Sequence, residues 1–161
     1  MPVTGNWVLL AYRLPREPSA PRLAVWRRLK RLGVAQLLDG LVCLPLDSRN
    51  REQLEWVAEE VLEQGGDASI WIAQPATARE ERELAERMRE RITDEYLTLI
   101  AEAEAAAAAA DGSGRQRRTL ARLRREVGRI ARRDYFPPAE RERARQAVEA
   151  LAQTLEAEAG A

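Results

Sequence analysis

The chain has 161 residues, 45% of them apolar and 32% charged, enough for one domain of ordinary size with a core and long solvated helix faces. Its 26 basic and 26 acidic side chains cancel, which argues against blanket adhesion to nucleic acid or an acidic membrane but leaves room for a local basic patch. There is no histidine, the commonest general base and metal ligand, and the single Cys43 can form neither an intramolecular disulfide nor a thiolate cluster.

One cysteine fits a reducing, cytoplasmic setting. No stretch approaches the roughly 20 apolar residues that span a bilayer, so no membrane partner is expected. Residues 1–14 place no basic segment ahead of their apolar run, unlike a secretory signal. The charge falls in three blocks: 9 basic and 9 acidic over residues 1–76, 5 and 10 over 77–111, and 12 and 7 over 112–161.

Residues 6–14 (NWVLLAYRL) read as a buried strand stopped by Pro15. A proline-bracketed loop follows, and Ser19 is placed to cap the next helix, where Leu23, Trp26, Leu29 and Leu32 recur at helical spacing until Gly33. Residues 34–38 and 41–44 read as two strands joined at Asp39-Gly40, a dipeptide suited to a primed two-residue turn. Ser48 or Asn50 is placed to cap a helix over 50–64 with Leu54, Val57, Val61 and Leu62 as its buried stripe, ended by Gly65-Gly66. Residues 68–74 (ASIWIAQ) form the next strand. The order β-α-β-β-α-β predicts a four-stranded antiparallel sheet with both helices on one face, the ferredoxin-like plan, over residues 1–76.

Residues 77–161 read as an all-α extension, making the chain α+β. A long acidic helix over 77–110 carries Leu84, Met88, Ile92, Tyr96, Leu99 and Ile100; residues 111–114 (DGSG) form a linker or turn; a basic helix spans 115–133. DYFPP at 134–138 breaks it, and a last helix over 138–158 shows Ala147, Val148, Leu151 and Leu155 on one face. Such helices bury little alone, so they fold back as a hairpin or pair with another chain.

Taken together, WVLLAYRLP (7–15), RLAVWRRLKRLG (22–33), LLDGLVCLP (37–45), EWV (55–57), ITDEYLTL (92–99) and IARRDYFP (130–137) form an ordered series. The series resembles the N-terminal domain of ChrB-type chromate-resistance regulators over most of the chain. That resemblance implies chromate sensing and control of a chromate-efflux operon, with operator DNA and chromate or another oxyanion as partners. More distantly, the first half is similar to the domain of PaaX-type repressors that shares its fold with the small CRISPR spacer-acquisition nucleases. ChrB-type regulators carry a further C-terminal domain, which the residues up to Ala161 do not include. The nucleases hold a metal through an aspartate on the first strand, and here residues 6–14 contain no acid.

Two arginine clusters are the candidate sites. Residues 115–133 hold nine arginines and one acid, Glu126; Leu120, Leu123, Val127 and Ile130 make one stripe, while Arg118, Arg122, Arg125, Arg129 and Arg132 line other faces. Such a helix can track phosphates and release counterions, bind a small oxyanion through guanidinium forks, or be a solvated face paired with the acidic helix. The second cluster is Arg22, Arg27, Arg28, Lys30 and Arg31, with Arg13 at the end of the first strand. Arg13 and Arg22 meet at a strand–loop–helix junction, where they anchor an anion or, for Arg13, pair with Glu17 or Glu55.

The four tryptophans, one per element of the first half, are expected in core and helix–sheet contacts rather than as a base-stacking platform. Cys43, inside a strand, is expected to be a small core hydrophobe rather than a redox centre. No catalytic residue, cofactor or metal site is identified, so a binding or sensing module is expected rather than an enzyme. An interaction protein that dimerises through its helices, without DNA contact, is the second reading. A diverged metal-dependent nuclease is the third.

Overall fold

The computed structural model describes residues 5–109 and 113–160. Its elements are β1 (Trp7–Arg13), α1 (Ala20–Leu32), β2 (Ala35–Leu38), β3 (Leu41–Pro45), α2 (Ser48–Glu63), β4 (Asp67–Ala73), α3 (Ala78–Ala108), α4 (Ser113–Arg132) and α5 (Glu140–Ala159). The expected turn at 111–114 falls largely outside the described residues; Ser113 already belongs to α4. Internal contacts divide the chain into two units, Met1–Met88 and Arg89–Ala161, with the boundary inside α3.

In the first unit the strands form one antiparallel sheet in the order β2-β3-β1-β4. Its central strands, WVLLAYR and LVCLP, are apolar at consecutive positions, so both faces of the sheet receive apolar side chains. Val8 and Leu10 of β1 lie opposite Leu44 and Val42 of β3, all fully buried. This is the face covered by helices: α2 packs on β1 and β4, α1 packs on α2, and Val25, Leu29, Leu54, Val57 and Val61 supply the buried stripes. On the other face Trp7, Leu9 and Cys43 come together, and the start of α3 lies over them. There the Trp7 indole Nε1 donates to the buried Glu81 Oε1 at 3.1 Å, and Arg87 Nη2 donates to the Gln36 carbonyl at 3.3 Å.

Several local expectations give way to tertiary geometry. Ser19 makes no side-chain cap, and the first turn of α1 carries Pro21 instead. The cap of α2 is Asp47, whose carboxylate accepts from the Asn50 amide at 2.7 Å, rather than Ser48 or Asn50. The β2–β3 hairpin forms at Asp39-Gly40, but only Gly40 has positive φ, so it is not a primed turn; a register shift between Gln36 and Leu38 absorbs the difference. Gly40 is required there, because a Cβ would sit 2.4 Å from the Tyr12 carbonyl oxygen.

Val25 replaces Leu23 in the buried stripe of α1, and Leu62 leaves that of α2 for solvent. Of the four tryptophans only Trp7 is core; Trp26 is half-buried, and Trp56 and Trp71 are exposed.

The second unit is helical around one cluster: Ile92, Tyr96, Leu99, Ile100 and Ala103 of α3, Leu123 and Ile130 of α4, and Ala144, Val148, Leu151 and Leu155 of α5. α4 and α5 pack on each other, the fold-back being one of the two arrangements expected for these helices. Buried Gln116 in the first turn of α4 donates through Nε2 to the Ala106 and Ala109 carbonyls that the end of α3 leaves without helical partners. At the other end of α4 the Tyr96 hydroxyl donates to buried Asp134 Oδ2 at 2.9 Å. No helix of the described residues is long and apolar enough to cross a membrane.

Candidate functional site

The two arginine clusters belong to different units. α4 has a strongly one-sided surface: Gln116, Leu123 and Ile130 are buried and Leu120 and Val127 half-buried on one side, while arginines fill the rest. At 100° per residue, Arg117 and Arg124 fall on one flank of the outer face and Arg118, Arg125 and Arg132 on the other. Ala121 and Gly128 lie between them and form a low floor. All five arginines are exposed, and none has a hydrogen bond or ion pair among the described residues. Neighbours on a flank repeat every seven residues, about 10.5 Å along the axis.

Three other arginines of residues 115–133 have acid partners. Arg122 pairs with Glu102 of α3 at 2.5 Å, Arg129 with Glu126 at 3.3 Å, and Arg133 with Glu95 at 2.7 Å. Arg122 and the largely buried Arg133 thus pair with the acidic helix α3, and Arg129 pairs within α4, whereas Arg118, Arg125 and Arg132 have no acid partner among the described residues. Arg117 and Arg124 complete the free face; the helical wheel places them there, and the packing leaves them without an acid partner among the described residues.

The second cluster is split by the fold. Arg28 is half-buried and bridges α1 to α2 through Glu60 at 2.7 Å, a structural ion pair, and Arg27 projects into solvent. Arg13 pairs with Asp67 of β4 at 2.7 Å, not with Glu17 or Glu55; the antiparallel register places Arg13 directly opposite Asp67. Both groups are largely exposed, so the pair adds little stability.

Arg13 and Arg22 do line one open groove of about 570 Å³, together with Tyr12, Trp26, Gln36 and Asp39. Lys30 sits 5.8 Å from the centre of the Trp26 ring. Burial pushes the Tyr12 hydroxyl pKa up; Arg22 opposes that and Asp39 adds to it.

A second groove, of about 550 Å³, lies on the sheet face under α3, with Trp7, Leu9, Leu37 and Cys43 as its apolar floor and Glu80, Glu83 and Arg87 at its rim. Cys43 is fully buried there, and burial pushes its thiol up to about 12, so it carries almost no thiolate at neutral pH. Among the described residues no three His, Cys, Asp or Glu side chains converge as metal ligands.

No match to the chain was found among curated proteins or among solved structures. A family model described as "Protein ChrB, N-terminal" matches residues 22–160, a span that takes in Arg22 and the whole of α4. Because that match covers well over half of the sequence, the chain belongs to the ChrB N-terminal family.

Proposed function

We propose that the chain is a cytoplasmic regulatory module of the chromate-resistance type that holds operator DNA by its phosphate backbone, through the outer face of α4. The observation that supports this most is the set of five solvent-facing arginines on α4, unpaired among the described residues and flanking the Ala121–Gly128 floor. Arginines held on a rigid helix neutralise phosphates and release condensed counterions, and small residues between two rows let a backbone approach closely. The sheet is read as the ferredoxin-like plan, with a helical extension from residue 77; the order β2-β3-β1-β4 with β1 and β3 central supports it. β1 is WVLLAYR, with no acid, which speaks for binding rather than nuclease chemistry.

The test is a gel shift with the duplex upstream of the chain's own operon at two salt concentrations. The wild type binds, more weakly at higher salt. Replacing Arg118, Arg125 and Arg132 together by Gln flattens the dependence of log K on log salt by about one per lost phosphate contact. Absence of binding at low salt overturns the proposal.

A second reading concerns the inducer. The groove shared by Arg13 and Arg22 offers guanidinium donors to a tetrahedral oxyanion such as chromate. If that groove receives it, Arg22→Ala abolishes release of DNA by chromate and leaves the salt dependence unchanged.

A further inference from the structure

The two edges of the sheet are built differently. β2, at one edge, has four residues and a register shift between Gln36 and Leu38, features that blunt an edge against pairing. β4, at the other, has seven residues in unbroken register with β1. Its one charge is Asp67 at the start, already held by Arg13, and no proline or charge interrupts residues 68–74. The backbone groups on its outer side make no backbone hydrogen bond among the described residues.

Apolar side chains gather at this open edge from both faces. Trp71 is 60% exposed on the face of Leu9, and Ile72 is 47% exposed on the helix-covered face with Val8. Leu62, 55% exposed, joins Ile72. Glu60 points from α2 toward α1, where Arg28 holds it, and Leu62 is two residues and about 200° further round, on the flank away from α1. Since α2 packs on β1 and β4, that flank overlooks the β4 edge.

The geometry points to a second copy of this chain as the occupant: β4 pairs antiparallel with β4 of another molecule about a twofold axis through Ile70, joining two sheets into one of eight strands. Ile70 is the middle residue of Asp67–Ala73, so this register pairs the whole of both strands. It also sets large against small side chains at the two pairs flanking the axis. Trp71 of each copy, its indole Nε1 donating to Ser69 Oγ of its own strand at 2.8 Å, faces Ser69 of the other, and Ile72 faces Ala68, with the two Ile70 side chains meeting on the axis. A self-complementary strand of this kind fits an isologous contact, in which one patch serves both partners. This inference is independent of the DNA reading.

Sedimentation velocity over about 1–100 µM tests it, on the wild type and on the doubly substituted Trp71→Lys, Ile72→Lys chain. Both positions are solvent-exposed, so the variant keeps the wild-type circular dichroism spectrum. The wild type is expected to run as a dimer, and the variant as a monomer over the same range, its dimer dissociation constant raised at least 100-fold. A separate Ile70→Cys chain, oxidised with diamide, is expected to run as a covalent dimer on a non-reducing gel, because paired residues on the axis lie within disulfide reach. Buried Cys43 does not compete. A wild type that stays monomeric at about 100 µM, a dimer that survives in the lysine variant, or Ile70→Cys dimers that do not cross-link would each overturn it.

Discussion

Asp134 is the most constrained charged residue of the helical unit. Its carboxyl is buried, accepts from the Tyr96 hydroxyl at 2.9 Å, and has Arg141 at 3.8 Å. Burial raises its pKa above the usual 3.8, against the Tyr96 bond, the field of Arg141, a hydrogen bond from the Phe136 backbone and the field of Arg89. A raised carboxyl pKa stabilises the fold fully below the unfolded value, and that contribution is lost as pH rises from 3.8 through the folded value. Asp134→Asn keeps an oxygen for Tyr96 but cannot ionise. Across that window the wild type should therefore lose stability relative to the variant, which should be the more stable at pH 7 in urea denaturation. At Cys43 the expectation is chemical. With its pKa pushed up to about 12 inside the sheet, the thiol should ignore Ellman's reagent at pH 8 in the native protein and react stoichiometrically in guanidinium chloride.

For the elements, caps and turns matter more than helix periodicity. Asp47→Ala removes the side-chain acceptor that caps α2 and should cost about 1 kcal/mol in denaturant melts, whereas Ser48→Ala should cost much less. α3 begins with a reciprocal cap: Thr77 Oγ1 accepts from the Glu80 amide and Glu80 Oε2 from the Thr77 amide, each at 3.1 Å. Thr77 and Glu80, three residues apart, are a local signal that a reading for apolar spacing passes over. Gly40→Ala meets both a positive φ and the Tyr12 carbonyl, and should destabilise by about 1–3 kcal/mol in the same assay. The helix cores were legible from spacing alone: Ile92, Tyr96, Leu99 and Ile100 are all buried, as are Val148, Leu151 and Leu155. Faces next to a neighbour were less so. Leu23 and Leu62 fit a helical stripe, but the side each helix turns toward the sheet leaves them in solvent.

In the molecule as a whole, sequence-local physics determined the order of elements, the hairpin at Asp39-Gly40, the one-sided arginine surface of α4 and the absence of an acid on β1. Each depends on side chains a few residues apart along one helix or strand, where spacing maps directly onto a face. Tertiary structure alone decided the rest. Arg13 finds Asp67, 54 residues away, because the β1–β4 register sets them opposite; Tyr96 finds Asp134, and Arg133 finds Glu95, each 38 residues away, because α3 and the end of α4 pack together. Which arginines lack an acid partner among the described residues, and which apolar residues stand exposed at the β4 edge, follow from that packing. A side chain's partner is set by contacts between segments far apart in the chain, and no local pattern of apolar and charged residues encodes them.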